Sequence, residues 1–459
     1  MSEKKKITIK GAIKKTLRFG ILHSPPAVIC LSFLLIILVG SVLLTLPVAT
    51  EEHVATPFID CVFTATSATC VTGLVVYDTA PYWSTFGEVV IISLIQIGGL
   101  GFITLATFFL TIARRKAGLR NMLLAQESLN TINLQETIPL IRQVFSVVFI
   151  VEFAGACILS IDFVPRFGPV GFYYGVFHSI SAFCNAGFDL MGGNFASMTN
   201  YNDHPLVLYT IDLLIIIGGL GFIVWKDLID YRKNRKLLLH TKIVLVITAI
   251  LIVGGSLFIY LVEYNNALSN LPVDQKINAS VFLSVNSRTA GYTSTDLNSL
   301  HSITKVFVSM LMFIGGASGS TAGGIKVNTL GIMLIAIICV IRSSDETVIR
   351  KRKIPGGIVL KAFSITVLSG ILVTMVTFLI NLMQPNLPLV NVLFEATSGF
   401  GTVGLSTGIT PTLNSVSKLL IIISMYAGRV GPLSFALVLA LLKRGSSNTI
   451  YPEGKFVVG

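Results

Sequence analysis

The chain has 459 residues, of which 53% are hydrophobic and only 12% charged, and its mean hydropathy is +0.81. That profile excludes an ordinary soluble globular protein and marks a polytopic membrane protein. The formal charge of +12 would suit a nucleic-acid binder if it formed one patch, but the basic residues are dispersed over four separate segments, so this class is excluded too.

A hydrocarbon layer about 30 Å thick takes about 20 apolar residues to cross as a helix, and the sequence offers that length eight times, near 26–46, 86–112, 140–161, 205–225, 240–262, 303–341, 357–382 and 416–442. The first run follows Lys4, Lys5, Lys6, Lys10, Lys14, Lys15 and Arg18. It is about twice the length of a signal-peptide core and lacks a small-residue cleavage site, so it reads as a retained span. Further basic clusters, Arg114 to Arg120, Arg232 to Lys242 and Arg342 to Lys361, occupy alternate connectors. The other connectors carry acids such as Glu51, Glu52, Asp162 and Asp203. The positive-inside rule then places both termini in the cytoplasm.

Between the members of each span pair, on the non-cytoplasmic side, lies a semi-apolar stretch of roughly fifteen residues, too short to cross. The four stretches end 63–73, 177–187, 281–291 and 394–404, each on a glycine. A bulky apolar residue stands ten before each glycine, and Ser67, Ser181 and Ser398 stand six before three of them. The glycines are 114, 104 and 113 residues apart, which makes the chain a fourfold internal repeat. A second marker agrees: Ile97 to Ile103 recurs letter for letter as Ile217 to Ile223, with echoes at Ile314 to Ala317 and Gly428 to Gly431. The first glycine of this marker follows the loop glycine by 25, 31, 24 and 24 residues.

The expected fold is therefore an all-α membrane protein of four tandem helix, pore-loop, helix repeats, with eight transmembrane helices and four half-crossing pore helices around one pore. The divisions are a basic cytoplasmic tail (1–24), repeat 1 (25–113), repeat 2 (114–234), repeat 3 (235–341, its second helix broken at 315–324), repeat 4 (342–445) and a cytoplasmic tail (446–459). Irregular backbone at membrane depth is tolerated where it is buried in protein or lines a water-filled path. Structural plugs without a conduction role are the alternative.

A cation entering a narrow pore needs oxygens in place of its hydration shell, and oriented backbone carbonyls supply them. Glycine takes the positive φ that such orientation demands. The candidate filter residues are Cys70, Val71, Thr72 and Gly73; Cys184, Asn185, Ala186 and Gly187; Arg288, Thr289, Ala290 and Gly291; and Gly401, Thr402, Val403 and Gly404. Pore helices with inward C-terminal ends would add negative potential, which suits a monovalent cation. No acidic ring accompanies them. Glu395 reads either as a hydrogen-bonded support behind the filter or as a direct ion ligand, and Arg288 is expected to turn outward to a carboxylate or to carbonyls.

The sixth span carries Gly315, Gly316, Ala317, Ser318, Gly319, Ser320, Thr321, Ala322, Gly323 and Gly324 in its middle. Five glycines end any continuous helix, and the run falls inward of the third loop. It reads as a gate or as a passive helix break. Arg429, at the equivalent depth of the last span, is expected to donate to the loop's carbonyls, with Lys326 as a second donor. The GxGxxG letters of 399–404 lack the strand-to-helix context and the following acid of a nucleotide site, and 319–326 departs from a phosphate-binding loop at Ile325. The six cysteines show no CxxC spacing, and the histidines form no metal or catalytic motif.

These motifs, VTG at 71–73, NAG at 185–187, RTAG at 288–291, GTVG at 401–404, the 315–324 loop and Arg429, resemble the Trk/Ktr/HKT superfamily of potassium transporters, closest to the membrane subunit of bacterial Ktr systems. The resemblance runs from about Ser24 to Arg444; the two additional N-terminal spans typical of Trk-type relatives are absent. It implies a channel-like potassium-uptake subunit rather than an enzyme, with no cofactor, potassium as the transported ion and sodium as a possible activator. It further implies a homodimer in the bacterial cell membrane with one pore per protomer, a gating role for 315–324, and a cytosolic ATP- or ADP-binding regulatory ring supplied by a separate chain. Glycine in all four filter columns matches the potassium-selective members. A coupled sodium–potassium or proton–potassium symporter is the alternative, but its inverted repeats need an odd number of crossings per unit, whereas these units have two.

Overall fold

The computed structural model describes residues 25–101, 107, 123, 137–192, 198–344, 346–350 and 352–435. The expected tails 1–24 and 446–459, the division at 113/114 and the last part of the second and eighth spans lie outside the described residues.

A sequence of long helix, short buried helix, tight turn and second helix recurs four times. The first unit has α1 (Pro25–Thr45), α2 (Phe58–Cys70) and α3 (Thr85–Leu100); the second has α4 (Thr137–Phe167), α5 (Val170–Phe183), α6 (Pro205–Leu220) and α7 (Phe222–Asn234). The third has α8 (Leu239–Glu263), α9 (Val273–Asn286), α10 (Ser302–Phe313) and α11 (Val327–Ile341), and the fourth α12 (Gly356–Met383), α13 (Leu389–Gly401) and α14 (Ser415–Val430). A two-stranded antiparallel hairpin, β1 (Val348–Ile349) with β2 (Arg352–Lys353), joins the third and fourth units.

The second helices α3, α6, α10 and α14 begin at Thr85, Pro205, Ser302 and Ser415, thirteen residues before Gly98, Gly218, Gly315 and Gly428 respectively. Their starts are set by local chemistry: the Ser84 and Asn414 side chains cap α3 and α14, and Pro opens α6. Their ends are set by the glycine markers. The sequence suggests continuous spans at 86–112, 205–225 and 416–442 and one broken span at 303–341; instead α3, α6 and α14 stop at Gly101, Gly221 and Gly431, each with positive φ. In the second unit α6 and α7 meet at 94°. Hydropathy runs straight through these glycines, which is why a length-based reading misses the breaks.

Among the described residues four helices, within α1, α4, α8 and α12, are long and apolar enough to cross a membrane alone, or five if the bent pair counts as one. The others are pieces of 16 residues or fewer, about 24 Å at 1.5 Å per residue.

The long first helices lie outermost, and α1 and α12 leave leucines and phenylalanine such as Leu35, Leu38, Leu360, Phe378 and Leu382 exposed, as a lipid-facing surface requires. The short helices are buried, with Phe63, Phe177, Phe282 and Phe394 inaccessible to solvent. Each second helix packs on the short helix of the next unit: α3 on α5, α6 on α9, α10 on α13, and α14 back on α2. The units therefore close into a ring.

A polar bond at a common position pins each of these four junctions. Glu88 accepts from Tyr173 (2.8 Å), Tyr209 donates to Asn278 (2.7 Å), Lys305 donates to Asn391 (3.3 Å), and Lys418 pairs with Asp60 (2.6 Å). The donors and acceptors on the second helices stand nine or ten residues before the marker glycine, and their partners thirteen or fourteen before the loop glycine. The geometry repeats while the chemistry changes from unit to unit.

Candidate functional site

At the C-terminal end of each short helix the chain turns through two left-handed residues separated by one other. The pairs are Val71 (φ 58°) and Gly73 (91°), Asn185 (62°) and Gly187 (69°), Thr289 (82°) and Gly291 (82°), and Thr402 (51°) and Gly404 (95°). The glycines follow the expectation from sequence. The residues two before them were not foreseen in this conformation, because β-branched Val71, Thr289 and Thr402 adopt it only under strain. Strain of this kind persists where the surroundings over-determine it, and Val71, Asn185, Thr289 and Thr402 are all buried.

The turns are held from behind. The N–H of Thr72, Ala186, Ala290 and Val403 donates to the carbonyl of Ser67, Ser181, Asn286 and Ser398, at 2.7–3.0 Å. In the first and fourth turns the serine hydroxyl also accepts from the glycine N–H: Gly73 to Ser67 and Gly404 to Ser398, both 3.1 Å. Ser181 instead donates to Phe188 O, and in the third unit, which lacks the serine, Asn286 Oδ1 accepts from Tyr292 N. The recurring serine, legible only as a repeat marker, is a brace for the turn.

The four turns meet one another in order. A Cβ added to Gly73 would strike the carbonyl oxygen of Ala186; on Gly187, that of Ala290; on Gly291, that of Val403; and on Gly404, that of Thr72. A closed circuit of four glycines and four carbonyls results, and only glycine admits so close an approach. On one side it opens into a cavity lined by all four glycines with Asp78, Asp189, Thr293 and Ser406. Three marker glycines make the next layer possible, since Gly98, Gly218 and Gly428 lie against the carbonyls of Thr69, Phe183 and Phe400.

The segment 315–324 is a compact loop on the other side. Its base is tied by Gly315 N to Ile325 O (2.8 Å) and Ile325 N to Phe313 O (3.3 Å). It is docked into the break of the second unit, through Ala317 N to Gly219 O (2.9 Å), Thr321 N to Gly218 O (3.3 Å) and Phe222 N to Gly319 O (2.8 Å). Asn328 Oδ1 accepts from both the N–H and hydroxyl of Ser318.

Arg429 spans from the fourth unit to the loop and to the first unit. Its guanidinium donates to Thr321 O, to Gly98 O (2.5 Å) and to Gly99 O (3.1 Å). Lys326 Nζ donates to Ala322 O (2.5 Å) and Gly323 O (3.2 Å). Charge-assisted bonds of this kind are the stronger ones in a low-dielectric interior.

Arg288 is buried and donates to Gly315 O at 3.3 Å. Of the two orientations expected for it, toward a carboxylate or toward carbonyls, the structure takes the second, and the carbonyl belongs to the loop itself. Glu395 is buried and accepts from Ser406 (3.0 Å) and from Thr410, both on the segment after its own turn, the hydrogen bonding expected of a support behind the turn. Cys184 donates to Gln96 Oε1 at 3.4 Å, so its thiol is turned to α3. The polar pins between units, Lys418 to Asp60 above all, escape a reading of motifs; their common spacing relative to the glycine columns is the signal that reveals them.

The family model described as a cation transport protein, TrkH, matches residues 32–450. The chain is 41% identical over 453 residues to the Ktr system potassium uptake protein B of Bacillus subtilis, covering 98% of this chain and 99% of that one. It is 38% identical over 443 residues to the potassium/sodium uptake protein NtpJ of Enterococcus hirae, covering 95% and 97%. The crystal structure of the potassium transporter TrkH from Vibrio parahaemolyticus shares the fold, with a TM-score of 0.69 at 17% identity over 89% of this chain and 84% of that one. The relatives are transporters and not enzymes, and this chain belongs to the TrkH family of cation transport proteins.

Proposed function

We propose that this protein takes up potassium across a bacterial cell membrane through a pore formed by four helix, pore-loop, helix repeats, its two termini cytoplasmic. In this reading repeats 25–113, 114–234, 235–341 and 342–445 each cross twice, the broken second helices counting as crossings. The four turns ending at Gly73, Gly187, Gly291 and Gly404 are the selectivity filter, and 315–324, latched by Arg429 and Lys326, is the gate. The observation that carries it is the closed circuit in which each filter glycine abuts a carbonyl of the next repeat. Such a ring offers carbonyl oxygens to a dehydrated cation from four sides.

The names of the relatives supply the ion, potassium, and one of them pairs it with sodium. An inside-negative potential of 100 mV is worth about 2.3 kcal/mol per charge and drives entry without coupling. The word system in the names of the Ktr relatives suits a subunit that works with a partner, and on this reading a cytosolic nucleotide-binding ring acts on the gate of a homodimer. The test is rubidium uptake into liposomes by wild type, Gly291→Ser and a variant shortened within 315–324. Saturable uptake, poorer ion discrimination in the first variant and faster uptake in the second are expected. No uptake by the wild type with or without a partner, or two variants that match it, would overturn the reading.

A further inference from the structure

The residues two before each filter glycine carry side chains that the carbonyl ring does not use. In three repeats these bear oxygens: Asn185, Thr289 and Thr402, against Val71 in the first. Their left-handed backbone turns them away from the course of the neighbouring residues, and the gate loop shows where they go. Gly315 lies against Thr289 Cγ2, Gly323 lies against Thr402 Oγ1, and Gly315 and Gly323 lie against each other. The Thr289 and Thr402 side chains therefore converge on one point of the loop. Asn185 joins them, since its Nδ2 donates to Thr289 Oγ1 at 3.2 Å and its Oδ1 accepts from Thr321 Oγ1, two residues from Gly323, also at 3.2 Å.

All four of these groups are inaccessible to solvent, and Thr402 Oγ1 has no hydrogen-bond partner among the described residues. A buried hydroxyl without a partner costs about 1–3 kcal/mol, which asks for an occupant at some stage of the protein's cycle. Only glycine at 315 and 323 lets the loop press so closely on Thr289 and Thr402; any larger residue would hold it off.

Building on the filter-and-gate reading, we propose that Asn185, Thr289 and Thr402 form a second cation site directly beneath the carbonyl ring, for a dehydrated monovalent alkali ion, which the gate loop covers. The loop occupies this site with its own hydroxyl: Thr321 holds Asn185 Oδ1. When the loop withdraws, Asn185 Oδ1 exchanges that bond for the departing cation, with the Thr289 and Thr402 hydroxyl oxygens as its neighbours. Loop and cation thus compete for one oxygen, and gate position is coupled to ion exit by direct contact.

The test uses barium, a divalent ion, as a probe applied on the loop side of proteoliposomes during rubidium uptake. Asn185→Asp, which keeps the shape and tolerates the left-handed backbone, is expected to lower the half-inhibiting barium concentration about tenfold through the added charge. Thr402→Val is expected to raise it about threefold by removing one oxygen ligand, and Thr402→Ser to restore the wild-type value. Rubidium uptake that stays intact with barium inhibition unchanged in both Asn185→Asp and Thr402→Val overturns the second site and leaves the filter reading standing. Absence of uptake by the wild type overturns both.

Discussion

The layer that holds the four glycine turns and the layer just inside it are built on opposite principles. In the first, four units present the same pair of left-handed positions, the same backbone bond to the residue five or, in the third unit, four before, and the same approach of glycine to the next unit's carbonyl. In the second, the third unit has the loop 315–324 where the second and fourth have one-residue helix breaks at Gly221 and Gly431, and the other units supply unlike partners to it: Gly218 and Gly219 from the second, Arg429 from the fourth. On the proposed reading the first layer strips water from a spherical cation, which a symmetric ring of ligands suits. On the same reading the second layer holds the gate, which needs only one copy, and the symmetry is broken there.

The ring is the more sensitive layer. In Gly187→Ala the new methyl would meet the carbonyl of Ala290, and the backbone is left-handed besides. Rubidium flux should fall about a hundredfold, equivalent to roughly 2.7 kcal/mol, while the purified protein remains monodisperse. Flux near wild type would show that the circuit of glycines and carbonyls does not line the path.

The junction pins come next, and they differ in chemistry where the ring does not. Lys418→Met strands Asp60 in a buried setting, the two side chains being 11% and 6% exposed, and should destabilise the protein by about 3 kcal/mol. Combining it with Asp60→Asn should recover most of that loss in thermal unfolding. An additive double variant would mean that the pair does not act as a unit.

In the inner layer, Arg429→Gln removes the charged donor from Thr321 O and from the carbonyls of Gly98 and Gly99. Flux through the otherwise unchanged ring should rise about tenfold, the scale of one charge-assisted bond, with the ratio of rubidium to sodium flux kept. A fall in flux would assign the arginine to the ring's support instead of to the latch.

The smallest effect separates the turns from one another. Ser67→Ala and Ser398→Ala each remove the acceptor of a filter-glycine N–H, which is worth about 1 kcal/mol and should loosen ion discrimination severalfold. Ser181→Ala should leave the Gly187 turn less affected, because its hydroxyl donates to Phe188 O. Equal effects in all three would remove that distinction.

Much of the outer layer was legible in the sequence because glycine is required there and nothing else fits: four glycines at intervals of about a hundred residues are a backbone constraint written in letters. The companion column was not legible, since valine, asparagine and threonine do not announce a left-handed turn. The breaks at Gly101, Gly221 and Gly431 were hidden within apolar runs whose hydropathy continues past them. The pins were hidden for another reason: an acid with a tyrosine, a tyrosine with an amide, a lysine with an amide and a lysine with an acid share a position but no letters. The loop at 315–324 and its donors Arg429 and Lys326 were visible, because so many glycines and so deep a charge are both rare in a membrane span.

The central claim is that cations cross this protein through the ring of four glycine turns, and the most direct measurement is the ratio of potassium to sodium flux in Gly73→Ser under an imposed inside-negative potential. The added side chain meets the Ala186 carbonyl, so the account predicts a ratio at least about tenfold below that of the wild type as the carbonyl ring is displaced. An unchanged ratio at wild-type flux would contradict it.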